Sequence, residues 1–393
     1  MKIRQIPGEE LLTSSRPLQL YAFEASPKSL AELEQLPGQR PPASTDVTLV
    51  AVENGAPVAT VVATPMTQNV RGRTVPMAGI CGVATHPLAR RQGHVRTLLT
   101  RLLGQLRDGG YPVSALYPFR PSFYQRFGYV GLPQVRTVTL DTAELAPFLR
   151  AGLPGEIGWQ RSGEGYPEYR AFLERLLPHR HGFALYSPER GERWRHEDDR
   201  WLVTARVNGE TVGAVTYRVD AFGGDLVADH LLALGPVGRA LLLGFFARHV
   251  DQVARVVVTV PPDEQPELWA TDLTTHTESR TSSPTARAPM ARVLSVPALA
   301  GLPVGTGRAS VRIVDDPFIA GSYLLDGGTG ALEVTPGGAG TTTLTSAGFA
   351  ALVYGVLDPV ELAVRGLGEV PAEALDGLRT LFPRRTPYLF ADF

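Results

Sequence analysis

The 393-residue chain contains one cysteine, Cys81, and two lysines, Lys2 and Lys28. A single thiol excludes an intramolecular disulfide and a cysteine-rich zinc site. The other basic residues are all arginine, a bias that fits a GC-rich genome and points to no function. Charge of one sign is also missing: 38 basic and 39 acidic residues leave a net charge of −1. Neither nucleic acid nor a membrane surface is therefore expected as a partner. No apolar run approaches the ~18 residues that a membrane-spanning helix needs, and Met1 to Leu12 lack the apolar core of a signal peptide. A cytoplasmic location is expected. The length exceeds what one ordinary core serves, so two or three domains are expected.

What is present centres on Ala78 to Gln105. Ile80, Val83 and Ala84 form a short apolar run that stops at Pro87, and Val95, Leu98, Leu99, Leu102, Leu103 and Leu106 recur at helical i, i+3, i+4 spacing. Arg90-Arg91-Gln92-Gly93-His94-Val95 joins the two. A helix that begins just after a basic, glycine-bearing turn aims unpaired N–H groups and its positive dipole end at one spot, which suits a pyrophosphate. Arginines in a first helical turn are unfavourable unless they meet an anion. This turn, after the strand end Val83-Ala84-Thr85-His86-Pro87, resembles the acetyl-CoA motif of the GNAT N-acetyltransferases. Val95 stands where that motif usually has glycine or alanine, a departure typical of the Eis-like (enhanced intracellular survival) branch.

The surrounding order agrees with the resemblance. Pro17 to Gln35 reads as two short helices and Pro37 to Pro42 as a loop. Val47–Val52 and Val58–Val62 flank Asn54-Gly55, a hairpin signal, and Pro112–Tyr117 is a strand after the helix. The order then returns: Trp201–Val207 and Thr211–Val219 around Asn208-Gly209, a strand Asp225–Leu234, an apolar helix Val237–Val250 and a strand Ala254–Val260. In this second copy the basic turn is replaced by Gly235-Pro236-Val237-Gly238-Arg239, whose proline removes a donor. A GNAT-like unit without cofactor is expected there. Asp272 to Pro289 is polar and aperiodic, and reads as a loop or linker. After Met290 come strands Val311–Val314, Gly321–Leu325, Ala331–Val334 and Thr341–Leu344, then helices capped by Ser346 and by Asp358-Pro359. That alternation of a small antiparallel sheet and helices resembles the sterol-carrier-type domain of Eis-like proteins. The expected fold class is α/β (α+β), with a catalytic GNAT domain over 1–140, a degenerate GNAT-like domain over 141–289 and a sterol-carrier-like domain over 290–393.

Two further stretches carry chemistry. Phe123-Tyr124-Gln125-Arg126-Phe127-Gly128-Tyr129 resembles the segment that lies beside the thioester in GNAT enzymes, and Tyr124 matches the family's general acid. A CoA thiolate with a pKa near 8–9 leaves more readily beside such a donor. The chain end, Tyr388-Leu389-Phe390-Ala391-Asp392-Phe393, has three aromatics in its last six residues, unlike most frayed termini. In Eis-like enzymes the terminal carboxylate reaches the active site as general base, a role that falls to Phe393 here. An amine of pKa about 10 must lose a proton before it attacks.

The resemblance implies that Val83, Ala84 and Thr85 hold the pantetheine and thioester carbonyl. It further implies that the backbone of Arg91, Gln92, Gly93, His94, Val95 and Arg96 binds the pyrophosphate, with Phe119 and Arg120 near the cofactor. Glu24 and Asp392 are candidates for negative charge facing a polycationic amine. Cys81 reads as a structural thiol, His86 as the close of a strand, and His179 and His181 lack partners at metal-ligand spacing. The expected protein transfers acetyl from acetyl-CoA to a primary amine, without a metal, as a homo-oligomer that the family makes a hexamer. The acceptor stays open among an aminoglycoside, another polyamine-like molecule and a protein lysine. The rival reading is a non-catalytic lipid- or small-molecule-binding protein on a degenerate GNAT scaffold, against which the intact Arg90 to Gly93 turn argues.

Overall fold

A computed structural model describes residues 1–24, 27, 45–196, 199–281, 288–391 and 393. Three sheets organise it. The first has the order Lys2–Ile6, Val47–Glu53, Ala56–Val70, Arg73–Thr85, Val113–Leu116, Met290–Val293, Val130–Gly131, and Ala184–Tyr186 also pairs with Ala56–Val70. Its first hairpin turns at Asn54 and Gly55, with φ of +50° and +81°, the left-handed values that a tight I′ turn demands. Asn208 and Gly209 repeat this in the second sheet, with φ of +53° and +80°.

The strand Arg73–Thr85 is the feature that positions the site. It pairs in parallel with Val113–Leu116 only from Met77 to Ile80, then runs on through Cys81 to Thr85 with no partner on that side among the described residues. The sheet therefore opens into a notch there, with free backbone groups along one edge. Across it packs the helix His94–Asp108, which buries Leu98, Leu99, Leu102, Leu103 and Leu106 against Leu49, Ala51, Ala78 and Ile80. Gly109 and Gly110, the latter at φ +87°, end this helix.

The second sheet has the order Thr275–Glu278, Arg136–Leu140, Arg255–Val260, Asp225–His230, Glu210–Val219, Trp201–Val207, Glu156–Arg161, with Leu232–Ala233 also paired to Glu210–Val219. Its parallel pair stays together along its length, from Asp225 opposite Arg255 to His230 opposite Thr259, so no notch opens. The helix Pro236–Ala247 lies so close to this sheet that a Cβ on Gly238 would meet the Val212 carbonyl oxygen at 2.4 Å.

Several expectations are corrected. Asp272 to Pro289 is not wholly a loop, because Thr275–Glu278 adds an edge strand to Arg136–Leu140. The divisions at 140 and 290 do not follow the sheets: Arg136–Leu140 belongs to the second, and Met290–Val293 pairs with Val113–Leu116 in the first. Neither crossing is visible in local pattern, since both are long-range pairings. The third sheet, Glu333–Pro336, Gly321–Asp326, Arg308–Ile313, Thr342–Leu344, Gly368–Glu369, is mixed, because Arg308–Ile313 and Thr342–Leu344 run parallel. The helix Ser346–Tyr354 is capped by Thr345, whose hydroxyl accepts from the Gly348 N–H, and not by Ser346; Asp358 caps Pro359–Val364 as expected. Near the N-terminus the helices are Leu11–Ser14 and Arg16–Phe23, while the second half of the helical stretch and the loop Pro37 to Pro42 lie outside the described residues.

An unexpected arginine fastens the third unit to the first. Arg71, at φ +55° in the turn between Ala56–Val70 and Arg73–Thr85, is 1% exposed. Its guanidinium donates to the carbonyls of Leu352, Val353 and Pro383, capping the C-terminal end of the helix Ser346–Tyr354. Burial lowers its pKa to about 9, so it still carries charge at neutral pH.

Candidate active site

The turn before the helix His94–Asp108 has the geometry that an anion site needs. Arg91 and Gly93 both take positive φ, +64° and +86°, and Gly93 is the N-cap. Among the described residues no side chain caps the first N–H groups, and a Cβ on Gly93 would meet nothing within 4 Å. Arg91, Gln92 and Arg96 are exposed, so cations stand at the positive end of the helix with room before them. Gln92 donates to the Leu88 carbonyl, and the Arg90 guanidinium lies 5.7 Å from the centre of the Tyr21 ring. The side chains of His94 and Val95 turn inward. His94 is 5% exposed, with Nδ1 3.0 Å from the Met1 sulfur and Nε2 3.7 Å from Glu53, and Val95 packs on the first core. Only their backbone remains for a ligand.

Beside the notch lies a cavity of about 660 Å³. Tyr124, Phe393, Val83, Phe119 and Glu24 line it, so residues spread from position 24 to the chain end meet in one place. The short helix Pro121–Gln125 carries Tyr124, which is 3% exposed and packs edge-on against Phe119 at 5.5 Å and Phe123 at 5.1 Å. Glu24 meets Arg16 at 3.3 Å, and both reach the cavity wall. Ala84 is buried and Thr85 half-buried in the strand beyond, paired with Thr60 and Ala59, and Arg120 is exposed at the N-cap of the Tyr124 helix. These three do not line the cavity. Asp392 lies outside the described residues.

The described residues of the tail are held in place. Residues 388–391 are buried at 1%, 3%, 6% and 1% exposure. The Tyr388 N–H donates to the His181 carbonyl, its hydroxyl lies 2.7 Å from His230 Nδ1, and Phe390 stacks on Phe183 at 4.7 Å. The Tyr117 hydroxyl donates to the Ala391 carbonyl at 3.1 Å, and the Tyr117 and Phe393 rings meet edge-on at 5.6 Å. The Phe393 ring fills the space over Gly79, where a Cβ would sit 2.7 Å from it.

Three further residues line the cavity that the sequence reading did not place in the site. Cys81 is half-buried and lines the cavity; burial raises its thiol pKa, opposed by the Arg190 charge. Tyr117 follows the strand Val113–Leu116 and carried no polar signal of its own. His230 comes from the second sheet, and nothing local in the sequence brings it to a cavity of the first. Among the described residues, no group of three or more His, Cys, Asp or Glu is arranged to hold a metal ion, and no helix is long and apolar enough to cross a membrane.

Residues 2–131 and 160–293 each match a family profile described as an acetyltransferase (GNAT) domain. These two stretches span most of the chain, and the protein belongs to the GNAT acetyltransferases as a tandem-domain member. Within that class it is similar to Eis proteins over part of its length. N-acetyltransferase Eis of Mycobacterium tuberculosis is 32% identical over 169 residues, 42% of this chain and 38% of that protein. An uncharacterized N-acetyltransferase of Streptomyces coelicolor is 28% identical over 215 residues, 50% of this chain and 51% of that one, so the matches span about half or less of these relatives. The fold is shared over whole chains: a GCN5-related N-acetyltransferase from Kribbella flavida superposes with TM-score 0.77 at 21% identity, covering 100% of both chains. Eis1 from Mycobacterium abscessus does so with TM-score 0.77 at 18% identity, again covering 100% of both.

Proposed function

We propose that the protein is an acetyl-CoA-dependent N-acetyltransferase acting on a small-molecule primary amine, with one working site in its first domain. The observation that carries this reading is the junction of three features: an opened sheet edge at Cys81–Thr85, a left-handed basic turn with open space before a helix N-terminus, and a cavity walled by both Tyr124 and Phe393. Acetyl-CoA would supply the acetyl thioester. The N–H groups of Arg91 to Arg96 bind the pyrophosphate, assisted by the exposed Arg91 and Arg96 side chains. The free edge of Val83 to Thr85 hydrogen-bonds the pantetheine and orients the carbonyl. Phe119 and Arg120 border this path. The Phe393 carboxylate takes the ammonium proton and the Tyr124 hydroxyl gives one to the departing sulfur. Glu24 and Asp392 add negative charge that favours a cationic acceptor.

The third unit, on this reading, is a sterol-carrier-like domain whose task is to deliver the chain end, and assembly as a hexamer and a cytoplasmic location follow from the likeness to Eis-like proteins. A binding protein on a degenerate scaffold would have no use for a solvent-open basic turn.

Tyr124→Phe tests the reading. It should leave acetyl-CoA affinity nearly unchanged while lowering kcat by roughly 10²–10⁴-fold, the size of a lost proton-transfer catalyst. One or two residues added after Phe393 should abolish turnover, and Phe393→Leu, which keeps the carboxylate, should be milder. A tagged enzyme at full rate removes Phe393 from the mechanism, and full kcat in Tyr124→Phe removes Tyr124.

A further inference from the structure

His230 occupies a place that regular strand geometry would not give it. Along Asp225–His230 the even-numbered Leu226 and Ala228 face the core of the second domain. Strict alternation would send His230 the same way. The register slips between Ala228 and His230, and beyond the slip the faces exchange: Leu231 now enters that core, while Leu232 joins the cluster of Phe183, Tyr388 and Phe390. A bulge of this kind re-aims a side chain. Here it brings an imidazole from the domain whose own notch is closed to the cavity of the other domain, with its ring edge-on to Phe390 at 5.2 Å.

The hydrogen bonds define which proton it carries. The Tyr388 hydroxyl, in a residue 1% exposed, must donate to something, and among the described residues the acceptor in reach is His230 Nδ1 at 2.7 Å. Nδ1 is therefore the bare nitrogen, and the ring proton sits on Nε2. Nε2 has no protein partner among the described residues, and the ring lines the cavity. Burial holds the ring pKa at about 4, against the pull of Asp229, which is itself engaged by Arg200 at 3.2 Å and by the Thr216 hydroxyl at 2.7 Å. Such a group is too weak a base for an ammonium ion; it is a fixed neutral donor.

We propose that His230 determines acceptor specificity, its Nε2–H donating a hydrogen bond to an oxygen of the bound amine, so that amines with a nearby hydroxyl or carbonyl are preferred over plain alkyl amines. This rests on the acetyltransferase reading of the same cavity. The site combines that donor with Glu24 and the aromatic wall of Tyr117, Phe119 and Phe390. An oxygen-bearing amine satisfies the donor, whereas an alkyl amine leaves it desolvated and unpaired.

Two measurements test this. Nitrogen-15 NMR of the imidazole should show the neutral Nε2–H tautomer at pH 7, a result independent of any turnover; the Nδ1–H tautomer overturns the proposal without touching the acetyltransferase reading. In steady-state kinetics, 1,3-diamino-2-propanol should exceed 1,3-diaminopropane in kcat/KM by roughly three- to tenfold, the span of one neutral hydrogen bond. His230→Phe should erase that ratio mainly through KM, and His230→Gln, which restores an N–H near Nε2, should regain part of it. A ratio of one in the wild type, or a His230→Phe enzyme that loses activity on both acceptors by the same factor, refutes the assignment. Turnover of neither diamine nor any other amine would instead sink the acetyltransferase reading, and the tautomer result would then stand alone.

Discussion

Acid should loosen the joint that holds the chain end, because two half-buried histidines grip it in their neutral forms. His181 accepts from the Arg71 N–H through Nδ1 at 3.0 Å, and its Nε2 donates to the Tyr354 carbonyl at 2.9 Å, an arrangement that only the neutral Nε2–H tautomer satisfies. Its own carbonyl takes the Tyr388 N–H, and the Tyr388 hydroxyl engages His230. Burial lowers both ring pKa values from 6.5 to about 4. A folded pKa below the unfolded one means that the unfolded chain binds more protons between those values. The contribution of each ring is thus full above pH 6.5 and is lost as pH falls toward 4. With folded values of about 4 the full loss is on the order of 3 kcal/mol per histidine, and at pH 5 about 2 kcal/mol each. NMR titration of the imidazoles reads this directly, and thermal midpoints at pH 7.5 and 5.0 read its consequence. His181→Gln should flatten the pH dependence of the midpoint. Rings that titrate near 6.5, or an unchanged slope in the variant, would refute the reasoning.

Three other outcomes follow from the geometry. Gly93→Val forces a β-branched residue to φ +86° and projects it into the open space before the helix, so calorimetry should find acetyl-CoA affinity reduced at least tenfold in a folded protein. The same titration on the wild type should give one acetyl-CoA per chain, because the second domain has a closed parallel pair and its helix-start Arg239 is committed to Glu264 at 3.0 Å and to the Trp269 ring; a stoichiometry of two would contradict this. Gly79→Ala places a methyl 2.7 Å from the Phe393 ring and 2.9 Å from the Met66 sulfur, and should cut turnover while sparing cofactor binding; wild-type kcat would mean that the tail is not seated there during catalysis.

What the sequence disclosed and what it concealed divide by range of interaction. Hairpins at Asn54-Gly55 and Asn208-Gly209, and the leucine-rich helix from His94, are set by neighbours within four residues and could be read directly. The glycine-bearing turn before that helix and the short helix of Tyr124 have local signatures too, whereas the roles given to them rest on the resemblance. Thr275–Glu278 was hidden because its residues, Thr-His-Thr-Glu, are largely exposed and have no apolar alternation; only pairing with Arg136–Leu140 makes them a strand. Met290–Val293 looked like the start of the last domain, although its partners lie more than 150 residues earlier, at Val113–Leu116 and Val130–Gly131. The burial of Arg71 depends on helix carbonyls some 280 positions away, which no local pattern shows. His230 needed both a bulge and a foreign tail. Glu24, named from the sequence as a candidate charge, does reach the cavity wall, but beside Arg16, eight residues earlier, and not as an isolated anion.

A terminal carboxylate is an uncertain place for a base unless its last residues lose their freedom before substrate arrives. Ordering each free backbone residue costs about 1–2 kcal/mol, so a frayed tail of six would forfeit several kcal/mol of catalytic advantage every turnover. On the proposed reading that ordering is accomplished on folding for the described residues of the tail. The Arg71 clamp fixes Pro383, the His181 carbonyl fixes Tyr388, the Phe183 ring fixes Phe390, the Tyr117 hydroxyl fixes Ala391, and the hollow over Gly79 fixes the ring of Phe393. These anchors come from the first sheet and the segment that links it to the second, whereas the polypeptide they hold comes from the third unit, and the second sheet adds His230. No single unit contains a complete cavity wall. The tandem architecture is therefore part of the cavity: the second sheet, whose own parallel pair stays closed, sends the end of its strand Asp225–His230 to a wall shared with the first sheet and the chain's last residues.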